Sequence, residues 1–372
     1  MSVLVNISDV CSEIFAGGDA PKSNMSEIKT DEYKIPIFSN GEANDGLYGY
    51  TNFARVTQPS ITVSARGTIG FVAVRSEPFV PIVRLISLTP ILEKIEIKYL
   101  YYALQNYKFD GSGTSIPQLT VPMLKKYSFP LPPNQQQLSV VAQLDKICNL
   151  MSLRKQQLSK LDELVKSRFI EMFGTIHANK FNYDTVTLQD VSEPIKDGTH
   201  QTPTYTEDAV NGFKFLSSKD VTTGTIDWSH LKYITEDLHK ELYSRLAPRK
   251  GDILLAKNGT TGIAAIVDRD EIFDIYVSLA LIRPLGINSV YLWAAINSTE
   301  TKQQFDASLK GIGVPNLHLG EIKKAKIILP PTKLQVQFAT FVEQTDKSKA
   351  TIQKSLEKLE MLKKALMQKY FG

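Results

Sequence analysis

Two short loops of the sequence carry residue types that are well suited to contacts with DNA. One is Lys257-Asn258-Gly259-Thr260-Thr261-Gly262, and the other, at a matching place, is Ala65-Arg66-Gly67-Thr68-Ile69-Gly70. Arg or Lys can pair with guanine and Asn with adenine, hydroxyl and backbone N–H groups suit phosphates, and glycine lets the backbone approach a ligand closely. An ordinary hairpin turn rich in Gly and Thr has the same composition, so both interpretations stay open at this point.

The sequence lacks the motifs of the common catalytic sites. It contains no Gly-x-x-x-x-Gly-Lys-Ser/Thr loop for ATP and no His-Glu-x-x-His for zinc. Its Pro-Pro pairs are followed by Asn134 and Thr332, so neither forms the Asn/Asp-Pro-Pro-Tyr/Phe motif of an amino-methyltransferase. Its histidines lack metal-ligand spacing, and Cys11 and Cys148 form no Cys-x-x-Cys pair. We therefore expect no catalytic residue, no metal and no cofactor.

An internal repeat organises the chain. Three landmarks recur at an offset of 198 residues: Ile116-Pro117-Gln118-Leu119 as Val314-Pro315-Asn316-Leu317, Leu131-Pro132-Pro133 as Leu329-Pro330-Pro331, and Phe173-Gly174 as Phe371-Gly372. The match holds without a gap over 59 positions, and weaker similarity continues upstream at smaller offsets. The pattern indicates a tandem duplication of a globular module followed by a more regular segment.

The two regular segments have the pattern of long helices. Each follows a Pro-Pro pair and ends at a glycine, and Thr332-x-x-Gln335 has capping-box form, with Asn134-x-x-Gln137 as its weaker counterpart. Apolar residues spaced three and four apart predict a coiled-coil seam, although a helix lying on a globular core remains the alternative. The predicted seam residues are Leu144, Ile147, Met151, Leu158, Leu161, Val165, Met172, Val342, Ile352, Leu356, Leu359, Leu366 and Tyr370.

The repeat predicts an α+β protein with four segments. These are two α/β-type modules, 1–133 and 175–331, and two helices, 134–174 and 332–372. Strand-like runs separated by Gly-rich turns, such as 61–63 and 263–267, alternate with helical spacing at 99–104 and 291–296. Because each helix follows a large module, we expect the helices to pair antiparallel, giving a quasi-cyclic molecule with an approximate two-fold axis.

Charge and hydropathy narrow the class of protein. The 372 residues carry a net charge of +4, and the excess positive charge lies on the two helical segments rather than on the modules. A basic, solvated helix face is the usual meaning of such a pattern, so charge alone does not argue for DNA. No apolar run is long enough to span a membrane, and the first ten residues have no signal-peptide pattern, so we expect a cytoplasmic protein.

The ordered set of motifs resembles the specificity subunit of type I restriction-modification systems. The resemblance covers essentially the whole chain, including the order module, helix, module, helix. Besides both Leu-Pro-Pro helix starts, it rests on Ile35-Pro36-Ile37-Phe38-Ser39-Asn40-Gly41, Tyr48-Gly49-Tyr50, Arg66-Gly67-Thr68-Ile69-Gly70, Asp197-Gly198-Thr199-His200-Gln201-Thr202-Pro203 and Gly313-Val314-Pro315-Asn316-Leu317. The first module departs from the pattern, with Gly17-Gly18-Asp19-Ala20-Pro21 in place of the Asp-Gly-x-His-x-Thr-Pro stretch, which implies that the modules read different sequences.

The resemblance implies a non-catalytic subunit of a DNA adenine methyltransferase and endonuclease. Each module would be a target recognition domain for one half of a bipartite site in double-stranded DNA. The antiparallel coiled coil would space the modules and dock two methyltransferase subunits, and restriction/translocase subunits would complete the enzyme. A scaffold that binds protein partners through two modules is the main alternative. The residues that we expect to contact DNA are Arg66, Gly67, Thr68, Lys257, Asn258, Thr260 and Thr261, then Lys196, Thr199, His200, Gln201 and Thr202.

If the helices act as a ruler, their length sets the spacer of the recognised site. We expect that inserting one heptad after Leu158 lengthens the spacer without altering either half-site, because seven residues add about 10 Å and preserve the seam. Sequencing of methylated adenines in cells carrying the variant measures this spacer directly. A spacer of unchanged length would contradict the ruler.

Overall fold

The computed structural model describes residues 3–109, 117–309 and 315–372. The chain divides into two compact units, which we call unit 1 (Met1–Lys155 with Gln353–Gly372) and unit 2 (Gln156–Ile352). Ile116, Gly313 and Val314 of the repeat motifs lie outside the described residues. The predicted α+β class is confirmed, since each unit combines mostly antiparallel sheets with helices.

Unit 1 contains three sheets. β2 (Cys11–Ala16), β8 (Ile86–Pro90), β5 (Ser60–Val63) and β6 (Val72–Arg75) form one antiparallel sheet in that order. The second sheet has the order β4 (Leu47–Thr51), β3 (Ile35–Phe38) and β7 (Val80–Pro81), with β3 and β7 parallel, and the third pairs β1 (Val3–Asn6) with β9 (Ser128–Leu131). The short helices are α1 (Ile97–Gln105) and α2 (Val121–Leu124).

Unit 2 repeats this topology. β11 (Lys196–Asp197), β18 (Leu279–Ile282), β15 (Ile253–Ala256) and β16 (Ala264–Ile266) form the four-stranded antiparallel sheet. The sheet with a parallel pair has the order β12 (Tyr205–Thr206), β14 (Lys232–Ile234), β13 (Phe213–Leu216) and β17 (Phe273–Ile275), and β10 (Asp184–Thr187) pairs with β19 (Lys326–Leu329). The short helices are α4 (Glu236–Arg245), α5 (Ser289–Ile296), α6 (Thr299–Ser308) and α7 (Leu319–Lys324). Because the strand orders of the two units match, the expected duplication is present in the sheet topology.

The two predicted long helices are present as α3 (Asn134–Phe173) and α8 (Thr332–Phe371), each of 40 residues. Each begins directly after its Pro-Pro pair, because proline cannot continue a helix backwards. α3 ends at Gly174, whose φ of +74° places it in the left-handed region that closes many helices. The N–H of Gly174 donates to the carbonyl of Ile170 at 2.8 Å, which satisfies one of the last free carbonyls of the helix.

The long helices run antiparallel within each unit. In unit 2, Lys349 Nζ lies 2.7 Å from Asp162 Oδ1, and the rings of Phe169 and Phe338 lie 5.5 Å apart, so the partner's number falls as the number on α3 rises. In unit 1, Tyr370 donates to Gln143 Oε1 at 3.3 Å. All thirteen predicted seam residues are buried or half-buried, whereas apolar residues outside the seam, such as Leu153, Leu164 and Met361, are exposed.

Each unit has a core in which a helix end meets a sheet. In unit 1, Phe371 packs against Tyr99 of α1 with ring centroids 5.0 Å apart, and in unit 2 Phe173 packs against Tyr291 of α5 at 4.8 Å. Both tyrosines are essentially inaccessible to solvent. Each hydroxyl donates to a carbonyl of the two-stranded sheet, Tyr99 to Pro130 at 2.8 Å and Tyr291 to Ile328 at 2.6 Å. Residues from both ends of the chain, such as Ile7 and Phe371, therefore form one core in unit 1.

Two buried glutamines at the helix starts do not form the predicted capping boxes. Gln137 accepts from the Glu96 N–H at 2.9 Å and donates to the Pro132 carbonyl at 2.9 Å. Gln335 likewise accepts from the Asn288 N–H at 2.9 Å and donates to the Pro330 carbonyl at 2.8 Å. Their carboxamides serve the start of a neighbouring helix, which a local motif could not reveal. They tie α1 to α3 and α5 to α8.

Replacing one of these glutamines tests its structural role. We expect Gln335→Leu to lower the free energy of unfolding by about 2 kcal/mol or more, since it leaves an N–H and a buried carbonyl without a partner. Urea denaturation followed by circular dichroism measures the change. Gln337→Leu is the matched control, because Gln337 is exposed on the same helix. Equal stabilities of the two variants would contradict the role assigned to Gln335.

Candidate nucleic-acid interface

The two polar loops are the same hairpin in both units. Residues 65–70 connect β5 to β6, and residues 257–262 connect β15 to β16. The N–H of Gly70 donates to the Ser64 carbonyl and that of Gly262 to the Ala256 carbonyl, each at 2.9 Å. Both glycines have left-handed φ values, +87° and +78°, which a residue with a Cβ adopts only with strain. The spacing of the glycines in the sequence therefore reflects this turn.

A second segment, residues 117–119 in unit 1 and 315–317 in unit 2, is hydrogen-bonded to one side of each hairpin. The N–H of Leu119 donates to the Ala65 carbonyl at 2.9 Å, and the N–H of Leu317 donates to the Lys257 carbonyl at 2.8 Å. Both leucines are fully buried, so the repeated Pro-Gln/Asn-Leu motif anchors the hairpin to the core. The residue before Leu119 reaches the hairpin surface, where Gln118 Oε1 accepts from Arg66 Nε at 3.0 Å and from Arg66 Nη2 at 2.7 Å.

The third segment, residues 17–21 in unit 1 and 198–203 in unit 2, follows the first strand of the four-stranded sheet. It crosses the loop at residues 82–84 in unit 1 and at residues 276–278 in unit 2. The N–H of Val83 donates to the Gly18 carbonyl at 2.7 Å in unit 1, and that of Val277 donates to the Thr199 carbonyl at 3.0 Å in unit 2. A Cβ on Gly198 would lie 2.0 Å from the Ile275 carbonyl oxygen. Only glycine fits there, which explains its place in the Asp-Gly-x-His-x-Thr-Pro motif.

Residues 82–84 in unit 1 and 276–278 in unit 2 are the fourth segment, and residues 39–41 and 217–219 are the fifth. The N–H of Ile82 donates to the Phe38 carbonyl and that of Tyr276 to the Leu216 carbonyl, each at 2.9 Å, at the ends of the parallel strands. Five segments therefore meet at one end of each unit. We call them loop cluster 1 (residues 17–21, 39–41, 65–70, 82–84 and 117–119) and loop cluster 2 (residues 198–203, 217–219, 257–262, 276–278 and 315–317).

The residues that the sequence predicts to contact DNA lie in or next to the loop clusters, but they differ in solvent exposure. Asn258 and Thr261 are half-buried, whereas eight others are exposed: Arg66, Gly67, Thr68, Lys196, His200, Gln201, Thr202 and Thr260. Lys196 lies on β11, immediately before cluster 2. Thr199 and Lys257 are buried, with 4% and 6% of their surfaces exposed. Both side chains therefore present little surface to a ligand in this structure, and their assignment as DNA contacts stays a prediction.

The buried pair has protein partners of its own. Thr199 Oγ1 accepts from the Gln201 N–H at 3.2 Å, which shapes the turn that follows. Lys257 Nζ lies 2.6 Å from Asp197 Oδ2, and His200 Nε2 lies 3.3 Å from the same oxygen. Burial raises the pKa of the Asp197 carboxyl, but the hydrogen bonds and charges of Lys257 and then His200 outweigh it, so the pKa is lowered overall. Asp197 is thus held as the carboxylate.

Two residues of cluster 1 were absent from the predicted set. Asn40 accepts from the Ala65 N–H at 2.7 Å and donates to the Val83 carbonyl, joining three segments through one side chain. Arg84 follows Val83, and both residues have left-handed φ values, +67° and +52°. The Arg84 side chain is exposed and has no partner among the described residues. Asn40 belongs to the motif at residues 35–41 and could have been included on that ground. No sequence pattern predicts the left-handed backbone of Val83 and Arg84.

The chain is a duplicated module that presents a polar loop cluster in each copy. The sequence model described as the type I restriction modification DNA specificity domain matches residues 2–163 and 181–361. The chain belongs to this family, and the two matches correspond to the two copies of the repeat. The match confirms the family that the motif order indicated.

Curated relatives carry the same assignment. A putative type I specificity subunit of Mycoplasma pneumoniae is 35% identical over 165 residues, which cover 44% of this chain and 45% of that protein. The type I restriction enzyme MjaVIII specificity subunit of Methanocaldococcus jannaschii is 26% identical over 292 residues, covering 72% and 68%. The match spans about half the length of the Mycoplasma relative and about two thirds of the archaeal one.

A solved structure supports the fold. The type I restriction-modification S subunit of M. genitalium superposes with a TM-score of 0.58 at 15% identity, covering 100% of this chain and 96% of that one. The likeness concerns architecture. No helix of the described ranges combines the length and apolar character needed to cross a membrane.

Adjacent glycines in cluster 1 give a matched test of the close packing between loops. We expect Gly17→Ala to lower the free energy of unfolding by about 1–3 kcal/mol, because a Cβ there would meet a backbone atom that cannot move aside. That Cβ would lie 2.4 Å from the Pro81 carbonyl oxygen, whereas one on Gly18 would have nothing within 4 Å. Thermal unfolding compares Gly17→Ala with Gly18→Ala, and similar losses in both would contradict the packing argument.

Proposed function

We propose that this chain is the DNA-recognition subunit of a type I restriction-modification enzyme. Unit 1 and unit 2 each contribute one target recognition domain, 1–133 and 175–331, and each domain reads one half of a bipartite site. The observation that carries the proposal is the double occurrence of one five-segment loop cluster on the same backbone framework. The side chains that the framework presents differ between the two copies, which suits the recognition of two different half-sites.

The polar groups of cluster 1 have the chemistry of base recognition. Arg66 is exposed, and Gln118 binds its guanidinium through two N–H groups, so its plane is oriented before any ligand arrives. A preoriented guanidinium suits the O6 and N7 atoms of guanine in the major groove. Arg84 adds a second exposed guanidinium, and its left-handed backbone is the kind of strain that recurs at binding sites.

Cluster 2 presents a different set of donors and acceptors. Its exposed or half-exposed groups are mainly amides, hydroxyls and an imidazole, with two lysines, and include Lys196, His200, Gln201, Thr202, Lys219, Asn258, Thr260 and Thr261. Asparagine and glutamine suit adenine, while hydroxyls and lysine suit phosphates. We therefore propose that the two modules read unlike sequences.

The long helices would supply the contacts to the rest of the enzyme. Segments 134–174 and 332–372 would separate the half-sites and dock two methyltransferase subunits, to which restriction/translocase subunits are added. Large apolar side chains remain exposed on these helices: Leu138, Leu150, Leu153, Leu164, Ile170, Val336, Met361 and Leu362. These side chains are where we propose that the methyltransferase subunits dock. The chain itself would contribute recognition and no catalysis.

Substitution of the two guanidinium groups of cluster 1 tests the proposal. We expect Arg66→Ala with Arg84→Ala to weaken binding to the cognate duplex by about tenfold or more, since a base contact from arginine contributes about 1–3 kcal/mol. Sequencing of methylated adenines in the host genome, with and without the gene, would first provide the site. Fluorescence anisotropy with that duplex, using the chain assembled with its methyltransferase subunits, measures the affinity.

The control is Arg55→Ala, which removes an exposed arginine of unit 1 that pairs with Glu13 and lies over the Phe15 ring, none of which belongs to loop cluster 1. It should bind the duplex like the unchanged protein. Full affinity of the double variant would remove cluster 1 from the interface. A methylation pattern that is unchanged by deletion of the gene would instead favour the scaffold function.

A further inference from the structure

One ion pair of unit 2 lies between two segments of loop cluster 2. Lys257 Nζ and Asp197 Oδ2 are 2.6 Å apart, and their side chains are 7% and 14% exposed. Asp197 ends β11 and precedes the segment that carries His200, Gln201 and Thr202. Lys257 begins the hairpin that carries Asn258, Thr260 and Thr261. The pair therefore joins the bases of the two segments that present most of the polar groups of the cluster.

The backbone of Lys257 makes it the junction of the cluster. Its N–H donates to the Ser278 carbonyl at 2.8 Å, and its carbonyl accepts from the Leu317 N–H at 2.8 Å. Ser278 Oγ in turn accepts from the Ser218 N–H at 3.0 Å. With the side-chain bond to Asp197, all five segments are connected through this one lysine and its neighbours. A change in its side-chain partner would act on the whole cluster.

Unit 1 has no charge at either position. Ala16 and Ala65 stand where unit 2 has Asp197 and Lys257. Ala16 pairs with Ile86 as Asp197 pairs with Ala280, and the Leu119 N–H donates to the Ala65 carbonyl as the Leu317 N–H donates to the Lys257 carbonyl. The link between segments is made there by Asn40, whose carboxamide bonds to the backbone at Ala65 and Val83. Both members of the charged pair are thus absent together, which is expected if each is useful only with the other.

The burial of Lys257 is unlike that of a phosphate contact. Its ammonium group is neutralised by a carboxylate and is almost withdrawn from solvent, so it offers little attraction to a polyanion. His200 lies on the outer side of the same carboxylate, 3.3 Å from Oδ2, with 70% of its side chain exposed. The order from core to surface is therefore Lys257, Asp197, His200. The lysine supports a group that faces outward.

We propose that Asp197 and Lys257 are a positioning pair that holds the 199–202 segment and the 258–261 hairpin in the geometry that reads the second half-site. This inference rests on the proposed function. Neither residue touches DNA, and their contribution is to the arrangement of the residues that do. The first half-site is independent of the pair, because cluster 1 has an amide link instead.

The test uses the full chain assembled with its methyltransferase subunits and a randomised DNA library. Selection and sequencing give the preference at each half-site, anisotropy gives the affinity, and titration with salt gives the slope of log K against log salt. The variants are Lys257→Met, Asp197→Asn and the charge-reversed Asp197→Lys with Lys257→Asp. Lys214→Met is the matched control, since Lys214 pairs with Glu271 in the same unit but lies on another sheet.

Each single variant should lose about tenfold or more in affinity, because it leaves a buried partner uncompensated. The loss should be confined to one half-site, and Arg66→Ala with Arg84→Ala should affect the other. The salt slope should stay unchanged, because no phosphate contact is removed. The charge-reversed variant should recover to within about threefold, since it restores an ion pair. Lys214→Met should bind like the unchanged protein.

Three results would overturn the inference. The first is a slope of log K against log salt that is lower by about 0.9 in Lys257→Met, together with full affinity in Asp197→Asn. This result would make the lysine a phosphate contact. The second is an unchanged affinity in both single variants, or a loss at both half-sites. The third applies if the single variants do not assemble with the methyltransferase subunits. The charge-reversed variant then tests the inference, and its failure to assemble or to recognise the second half-site would contradict the role of the pair. Absence of any bipartite motif for the unchanged protein would overturn the proposed function as well.

Discussion

Each unit depends on the contact between a buried tyrosine and the phenylalanine that ends a long helix. The rings of Tyr99 and Phe371 in unit 1, and of Tyr291 and Phe173 in unit 2, pack at about 5 Å, and each tyrosine hydroxyl donates to a strand carbonyl. One side chain thereby joins a short helix, a long helix and a two-stranded sheet. Buried aromatic rings contribute large apolar areas, and a tyrosine in such a core must find a partner for its hydroxyl. Because α1 and α5 also pack against the four-stranded sheets, the contact connects each of these sheets to the end of a long helix.

The loop clusters add a second constraint, which is the close approach of backbones. Gly17 and Gly198 allow one loop to lie against another where any Cβ would meet a carbonyl, and the hairpin glycines allow the turn. The backbone of the loop clusters is therefore shared by the two copies, while the side chains on it differ, both at the surface and in the buried links between segments.

The two copies stabilise the same framework in different ways. Unit 1 joins its segments through the carboxamide of Asn40, and unit 2 joins its own through the ion pair of Asp197 and Lys257. A neutral amide bonds to backbone groups and needs no charged partner. A buried charge is stable only with its counterion, so both partners must be kept or lost together. The sequence difference at the Asp-Gly-x-His-x-Thr-Pro stretch is thus part of a different internal link as well as a different surface.

Sequence periodicity alone determined the long helices, their starts after Pro-Pro, the duplication and the strand-rich modules, because these features depend on local propensity and on spacing along the chain. The family followed from the order of short motifs. The tertiary structure decided which polar residues are available to a ligand. Lys257 and Arg66 occupy similar loops in the sequence, yet only folding places a carboxylate beside one and solvent beside the other. Gln137 and Gln335 show the same limit, since their partners lie on another helix, and the exposed, left-handed Arg84 depends on contacts with residues 40 and 17–18 that are distant in the chain. Long-range packing sets burial and partners, and no local pattern encodes them.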